Sequence, residues 1–311
     1  MTNQFAHDVL NGLNSTPKTL PSKYFYDKTG DNLFQQIMKL DEYYLTRSEY
    51  QVLDKYKKEL LGLFSKDAEK FNLVEFGAGD GYKTKVLLES FLKANASFDY
   101  VPIDISANVL NQLETSLKNE LPELHVKSIQ DDYFSALKKL ENGGTKDIIL
   151  FLGSNIGNFT QERADSFLKA LYDGMNEGDM VLIGFDLKKK PRVILDAYND
   201  SKKVTAAFNF NLLNRINNEL DGNFDLEKFE HFPIYNPMTG TTSSFLVSKE
   251  DQTVEIMDSA IQFDAWEAIH MEISQKYDLK MVNALAETAG FELIENFYDD
   301  NKYYLNSLWQ K

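Results

Sequence analysis

The residue types and spacing best able to do chemistry begin at Val74-Glu75-Phe76-Gly77-Ala78-Gly79-Asp80-Gly81, an apolar run breaking into a glycine turn. Such a turn carries backbone close to a ligand, because glycine has no Cβ to stand in the way. A dinucleotide fingerprint needs a small sixth residue in G-x-G-x-x-G. Here that place is Tyr82 and the third glycine comes one residue early, which argues against a nicotinamide cofactor. The form E-x-G-x-G-x-G suits S-adenosylmethionine instead, which presents an amino acid end and has no pyrophosphate to cradle. Gly77 and Gly79 are therefore expected to line that cofactor. Asp104, closing FDYVPID, is placed to accept from both ribose hydroxyls. In Asp131-Asp132-Tyr133 the acid at Asp132 suits the adenine amino group and the ring of Tyr133 its face. The bland alternatives are a solvated acid at Asp104 and a solvated turn at Asp131-Asp132; the order of the three features along the chain favours the cofactor. Lys83 either contacts the cofactor carboxylate or is an exposed lysine of the first helical turn.

These residues need a scaffold that brings successive strand ends together. Four short β-branched or aromatic segments, NLVEFGAG, FDYVPIDIS, KDIILFLGS and DMVLIGFDL, read as buried strands, and HVKSIQDD supplies an extra one. Amphipathic stretches such as Lys83 to Ala94 and Ala107 to Lys118 separate them, so strand and helix alternate as in a doubly wound parallel sheet. After Leu187 the rhythm breaks. Phe208, Leu212, Ile216 and Leu220 recur at four-residue spacing, a helix face, and Phe232 to Val254 reads as an antiparallel patch with turns at Asn236-Pro237 and Thr239-Gly240. A helix from about Val282 should stop at Gly290, with FELIENFYDD and KYYLNSLWQ as a terminal hairpin returning to the first sheet. The expected fold is α/β: a Rossmann-like class I methyltransferase sheet, mostly parallel with an antiparallel C-terminal hairpin, and a smaller α+β domain. The alternating segments and the returning hairpin give an expected cofactor domain of 58–190 with 280–311, and the family resemblance set out below implies that 1–57 with 191–279 form the substrate domain.

Composition narrows the rest. The 311 residues hold no cysteine, which excludes disulfides, thiolate catalysis and cysteine zinc sites, and fits a cytoplasmic enzyme. His7, His125, His231 and His270 are scattered without paired ligand spacing, so no metal is expected. A net charge of −15 repels nucleic acid and anionic membrane surfaces, and no run reaches the length of a membrane span.

The most distinctive stretch is LPSKYFYDKTGDNLFQQIMKLDEYYLTRSEY, residues 20–50. It resembles the ergothioneine-pathway histidine Nα-methyltransferases. The resemblance continues in order through VEFGAGDGYKT, VPIDIS, LFLGSNIGNFT, DAYNDSKKVTAAFNFNLLNRINNEL, FDLEKFEHFPIYN and HMEISQKY, covering nearly the whole chain. That family includes a fungal branch acting on tryptophan derivatives, so it fixes reaction type better than acceptor. It implies methylation of the α-amino group of histidine to its trimethyl betaine, hercynine; the expected partner is a small-molecule amino acid, and the chain is expected to act as a monomer.

Carried over by position, the resemblance places Tyr26 and Phe34 at the border of cofactor and substrate, with Tyr43 at the substrate's amino end. Gly153 and Asn158 lie directly after the fourth strand, where ligands sit in parallel sheets. Asn158 would hold the α-amino and carboxylate groups, since an amide offers donor and acceptor without adding charge. Tyr198 would be a second carboxylate contact. Glu272 and Ser274 in HMEISQKY would face the imidazole, the acid accepting from a ring N–H. Tyr26, Tyr43 and Asn158 are the candidates to orient the amine during transfer. The chain departs from the family at Asp80-Gly81-Tyr82, at Asn155, where threonine is common, and at Ser243-Ser244-Phe245, where histidine enzymes place a methionine. Ser244 beside the ring pocket would enlarge and polarise it, leaving tryptophan or a modified amino acid open as acceptor. A non-catalytic scaffold that binds the cofactor is the remaining, more distant alternative.

Overall fold

The structure is a computed structural model and describes residues 2–131, 135–136 and 144–311. The chain divides into two compact units: 1–44 with 189–274, and 45–188 with 275–311. The boundary expected at 57/58 falls within a single helix, Leu45–Phe64, which belongs whole to the second unit.

The first unit contains helices α1 (Thr2–Leu13) and α2 (Lys28–Ile37), with strand β1 (Lys18–Thr19) between them. It resumes with α7 (Pro191–Asp196), α8 (Val204–Glu219), β7 (Phe229–Asn236), β8 (Thr241–Ser248), β9 (Gln252–Ile256), β10 (Ser259–Phe263) and β11 (Ala268–Gln275), whose last residue lies across the unit boundary. The antiparallel patch read from the sequence is the β7–β8 hairpin, turning through 237–240 in a four-stranded sheet of order β1-β11-β8-β7. Strands β9 and β10 form a separate hairpin. Along β8 every second residue, Thr242, Ser244, Leu246 and Ser248, is buried, the period of a sheet with one face covered. The expected helix face on α8 is real: Phe208, Leu212 and Ile216 pack with Val9, Leu13 and Phe25.

The second unit is the alternating part. It runs α3 (Leu45–Phe64), β2 (Phe71–Phe76), α4 (Lys85–Lys93), β3 (Phe98–Asp104), α5 (Ala107–Glu120), β4 (Ile129–Gln130), β5 (Lys146–Phe151), α6 (Gln161–Gly174) and β6 (Met180–Asp186), then α9 (Leu279–Ala289), β12 (Glu292–Tyr298) and β13 (Tyr304–Gln310). The seven strands lie in the order β12-β13-β6-β5-β2-β3-β4, all parallel except β13, which is antiparallel to both neighbours. This is the expected sheet with its terminal hairpin, the class I methyltransferase architecture. The extra strand read in HVKSIQDD is reduced to two residues and one bridge, Tyr100 to Val126.

Both faces of the sheet are covered, which is why its strands read as continuous apolar runs. Leu73, Tyr100, Ile148 and Leu182 pack on one side with Leu53, Leu87 and Leu113 of α3, α4 and α5. Their chain neighbours Val74, Val101, Ile149 and Val181 pack on the other with Phe167 of α6 and Leu285 of α9. Each fully buried side chain of this size stabilises the fold by about 1.5–3 kcal/mol. From β2 the chain steps to β3 and β4 on one side, then returns to place β5 and β6 on the other. The carboxyl ends of β2 and β5 therefore flank the switch point at which parallel sheets open a crevice for ligands.

Candidate functional site

In the second unit, β2 ends in the glycine turn, with Gly77, Gly79 and Gly81 at φ of +69, +57 and +67°. A side chain is strained in that region at all three. At Gly81 a Cβ would also stand 2.5 Å from Leu113 Cδ1, so this glycine lets the turn lie against α5. At Gly79 a Cβ would meet nothing within 4 Å, so that glycine faces open space. The main chain of Gly77 donates to Ile103 O at 2.8 Å, fastening the turn to β3.

Asp104 is the last residue of β3, beside that turn. One carboxylate oxygen accepts from the Gly79 N–H at 3.1 Å and the other from the Ser106 N–H at 2.9 Å. Burial pushes its pKa up, while these backbone donors and that of Ile105 pull it down. Three backbone donors leave the carboxylate acceptor capacity to spare, so the acid is held as an oriented acceptor rather than a solvated one. This geometry fits the ribose of S-adenosylmethionine. Asp131 continues the line of strand ends, its N–H donating to Asp104 O at 3.2 Å. The expected adenine residues Asp132 and Tyr133 lie outside the described residues.

Glu75, the acid of the motif, does not face the crevice. It is buried under the turn, accepting from Thr84 Oγ1 at 2.6 Å and from the Tyr100 hydroxyl at 2.5 Å. Desolvation raises its pKa to about 7 against those two hydrogen bonds. Its role here is to tie β2, β3 and the entry to α4 together.

Lys83 stands in the turn before α4, which starts at Lys85 rather than at the expected position 83. It is not an exposed first-turn lysine: its ammonium pairs with the carboxylate of Glu49, a residue of α3 that is 1% exposed. The same carboxylate accepts from the Gly153 N–H at 2.8 Å, so the loop after β5 and the turn after β2 share one anchor. Gly153 has φ +77°, and the following Ser154 is itself left-handed at +56°. Ser154 Oγ accepts from the Asp186 N–H at 3.0 Å, and Asp186 pairs with Lys276 at 2.9 Å with no exposure of either side chain. Asn158 ends the short 3₁₀ turn Asn155–Asn158 and is half-buried.

In the first unit, Tyr26, Phe34 and Tyr43 are brought together. The rings of Tyr26 and Phe34 meet edge-on with centroids 5.7 Å apart, and those of Phe34 and Tyr43 at 6.3 Å. Phe208 of α8 completes the group at 5.6 Å from Tyr26 and 5.9 Å from Phe34. Asp27 fixes the segment: its Oδ1 accepts from the Gly30 N–H at 2.7 Å as the cap of α2, and from Asn211 Nδ2 of α8 at 2.8 Å. Gly30 is obligatory there, since a Cβ would lie 1.7 Å from Phe25 O.

Tyr198 and Ser274 are also joined, the phenol donating to the seryl oxygen at 2.8 Å in a buried setting. Glu272 sits two residues before Ser274 on β11, half-buried. Ser244 lies on β8, the neighbour of β11 in the sheet, 1% exposed, and its hydroxyl has no hydrogen-bond partner among the described residues.

The family model for the histidine-specific, S-adenosylmethionine-dependent methyltransferases matches residues 5–311. The chain belongs to that family. It is 36% identical over 295 residues to a histidine N-alpha-methyltransferase of Mycobacterium tuberculosis, covering 94% of this chain and 90% of that protein. It is 36% identical over 284 residues to one of Mycolicibacterium smegmatis, covering 91% and 86%. To ergothioneine biosynthesis protein 1 of Neurospora crassa it is 31% identical over 300 residues, 94% of this chain but 33% of that longer protein. As a member of this methyltransferase family the chain is an S-adenosylmethionine-dependent enzyme, and the Gly77–Gly81 turn, Asp104 and Lys83 are the described residues able to hold the cofactor. Sequence reasoning missed Glu49, Phe208 and Asn211. All three lie inside the stretches that carry the family resemblance; the four-residue spacing marks Phe208 only as part of a buried helix face, and no spacing rule singles out Glu49 or Asn211.

Proposed function

We propose that this enzyme transfers methyl groups from S-adenosylmethionine to the α-amino nitrogen of L-histidine, ending at the trimethyl betaine. Membership of the histidine-specific family along essentially the full chain carries the reading. Bound S-adenosylmethionine supplies an electrophilic methyl on a sulfonium. The protein must present a neutral amine lone pair in line with it and exclude water, so positioning accounts for most of the catalysis. An α-amino group has a reference pKa of about 8 at a chain terminus and somewhat higher in a free amino acid, so a minor fraction is already neutral at physiological pH and no strong base is mandatory.

In this reading Asn158, the Gly153 carbonyl and the phenols of Tyr43 and Tyr26 orient the amine. The aromatic faces of Tyr26 and Phe34 suit the growing ammonium, at about 0.5–2 kcal/mol for a ring and a quaternary cation. Tyr198 and Asn158 take the carboxylate, with Glu272 and Ser274 on the imidazole. The domain holding Glu272 and the aromatic group is the substrate domain and the sheet domain the cofactor domain. The enzyme acts as a cytoplasmic monomer on a free amino acid; its charge of −15 disfavours polyanionic partners. No helix among the described residues is long and apolar enough to cross a membrane.

The orphaned hydroxyl of Ser244 favours one second reading, the same chemistry on tryptophan or a modified amino acid. Incubation with S-adenosylmethionine and each of the twenty amino acids, followed by mass spectrometry, separates them. Histidine alone gaining three methyl groups supports the first reading; conversion of another acceptor replaces it with the second; no conversion of any sinks both for the free amino acids.

A further inference from the structure

We infer that Glu49 is a positioning residue which sets Lys83 for the amino acid carboxylate of the cofactor and couples it to Gly153. This rests on the proposed role of Lys83. The carboxylate of Glu49 meets four donors. Oε1 accepts from the Tyr304 hydroxyl at 3.0 Å and Asn306 Nδ2 at 3.1 Å; Oε2 accepts from the Gly153 N–H at 2.8 Å and from the Lys83 ammonium. The chain is shaped to admit it. At Gly184 of β6 a Cβ would lie 2.3 Å from Glu49 Oε1 and 2.5 Å from the Tyr304 hydroxyl, so a glycine there leaves room for both.

Four donors converging on two oxygens require a carboxylate. An amide has one oxygen, so glutamine would turn its NH₂ toward either the Tyr304–Asn306 pair or the Gly153–Lys83 pair. A buried acid so fully matched is held in one orientation, and it transmits that orientation to its partners. Lys83 has three ammonium protons and gives one to Glu49, which leaves two for an incoming carboxylate along a fixed direction. Gly153 receives its position from the same anchor, so the cofactor's amino acid end and the loop after β5 are set together.

The test is calorimetric and needs no turnover. S-Adenosylhomocysteine carries the amino acid end, and 5′-methylthioadenosine has the same nucleoside and sulfur without it. Wild type should bind the first more tightly. Glu49→Gln should weaken S-adenosylhomocysteine binding about tenfold, the scale of one charge-assisted hydrogen bond, and leave methylthioadenosine within about twofold. Lys83→Gln should show the same selective loss. Equal loss for both ligands would assign Glu49 to the scaffold alone, and unchanged or tighter S-adenosylhomocysteine binding would make it a competitor for Lys83; either overturns the inference. If Glu49→Gln does not fold, Glu49→Asp is measured: the charge is kept and the reach shortened, so a ratio of the two affinities equal to wild type also overturns it. Wild type binding neither ligand would instead sink the cofactor assignment itself.

Discussion

The hydroxyl of Tyr100 on β3 donates to the carboxylate of Glu75 on β2 at 2.5 Å, directly beneath the glycine turn. With Thr84 on the other oxygen, the acid is buried and titrates at about 7 rather than its ordinary 4.5, because desolvation outweighs the two hydrogen bonds. A carboxyl raised in the folded state binds its proton more tightly there than in the unfolded chain. Its contribution to stability is therefore full below about pH 4.5 and is lost as pH rises through about 7. Asp147, raised to about 6 chiefly by burial, acts in the same direction. Urea unfolding should show wild type losing stability relative to Glu75→Gln between those pH values, by at most about 1.4 kcal/mol per pH unit for one proton. Parallel curves for the two proteins would show that Glu75 is ionised in the fold.

Gly79 and Gly81 share a left-handed backbone but differ in what surrounds them. Alanine at Gly79 bears the conformational cost alone, about 1–2 kcal/mol. Alanine at Gly81 adds a 2.5 Å encounter with Leu113 Cδ1, so its loss should exceed that of Gly79→Ala by about 1–3 kcal/mol. Thermal melts of the two variants give the comparison. The order should reverse for cofactor affinity, because the Gly79 Cβ would project into open space beside Asp104.

The sheet was legible because β2, β3, β5 and β6 are buried on both faces and each strand is a short, mostly apolar segment rich in β-branched or aromatic residues. The strand β4 was read within HVKSIQDD but not its extent, since a two-residue edge pairing leaves almost no periodic signal to bound it. Glu49 escaped notice for a different reason. Its partners are 34, 104, 255 and 257 residues away, so nothing local distinguishes it from the surface acids of an amphipathic helix. Glu75 shows the complementary limit: the motif marks it as part of the cofactor turn, while its hydrogen bonds make it a strut of the fold. Asp104 kept both properties visible, because its place at a strand end already implied an acceptor aimed outward.

Asp104 allows stability and cofactor binding to be separated. Burial disfavours its charged form, and its backbone donors occupy both oxygens. An amide in its place would keep an acceptor for one of them and relieve the desolvation, so Asp104→Asn should melt within a few degrees of wild type. The variant would lack a charged acceptor for the ribose, which should weaken S-adenosylhomocysteine binding by roughly 10- to 100-fold, on the order of 1.5–3 kcal/mol. The KM of the amino acid, measured at saturating cofactor, should stay within about twofold. A large fall in melting temperature with intact binding would mean that Asp104 serves the turn and not the ligand.

The Tyr198–Ser274 bond tests the acceptor side within the first unit. Tyr198→Phe deletes the donor, and Ser274→Ala deletes its acceptor; both residues are buried, so each single variant takes one partner away from a buried hydroxyl. Each should cost about 1–2 kcal/mol in stability, and the double variant less than the sum, with a coupling of about 0.5–1.5 kcal/mol. If the pair also serves the substrate, KM for histidine should rise several-fold in each single variant while the KM for S-adenosylmethionine holds. The two readouts divide the outcomes: coupling in stability with no change in histidine KM makes the bond a brace for β11, whereas coupling in both assigns the pair to substrate binding as well.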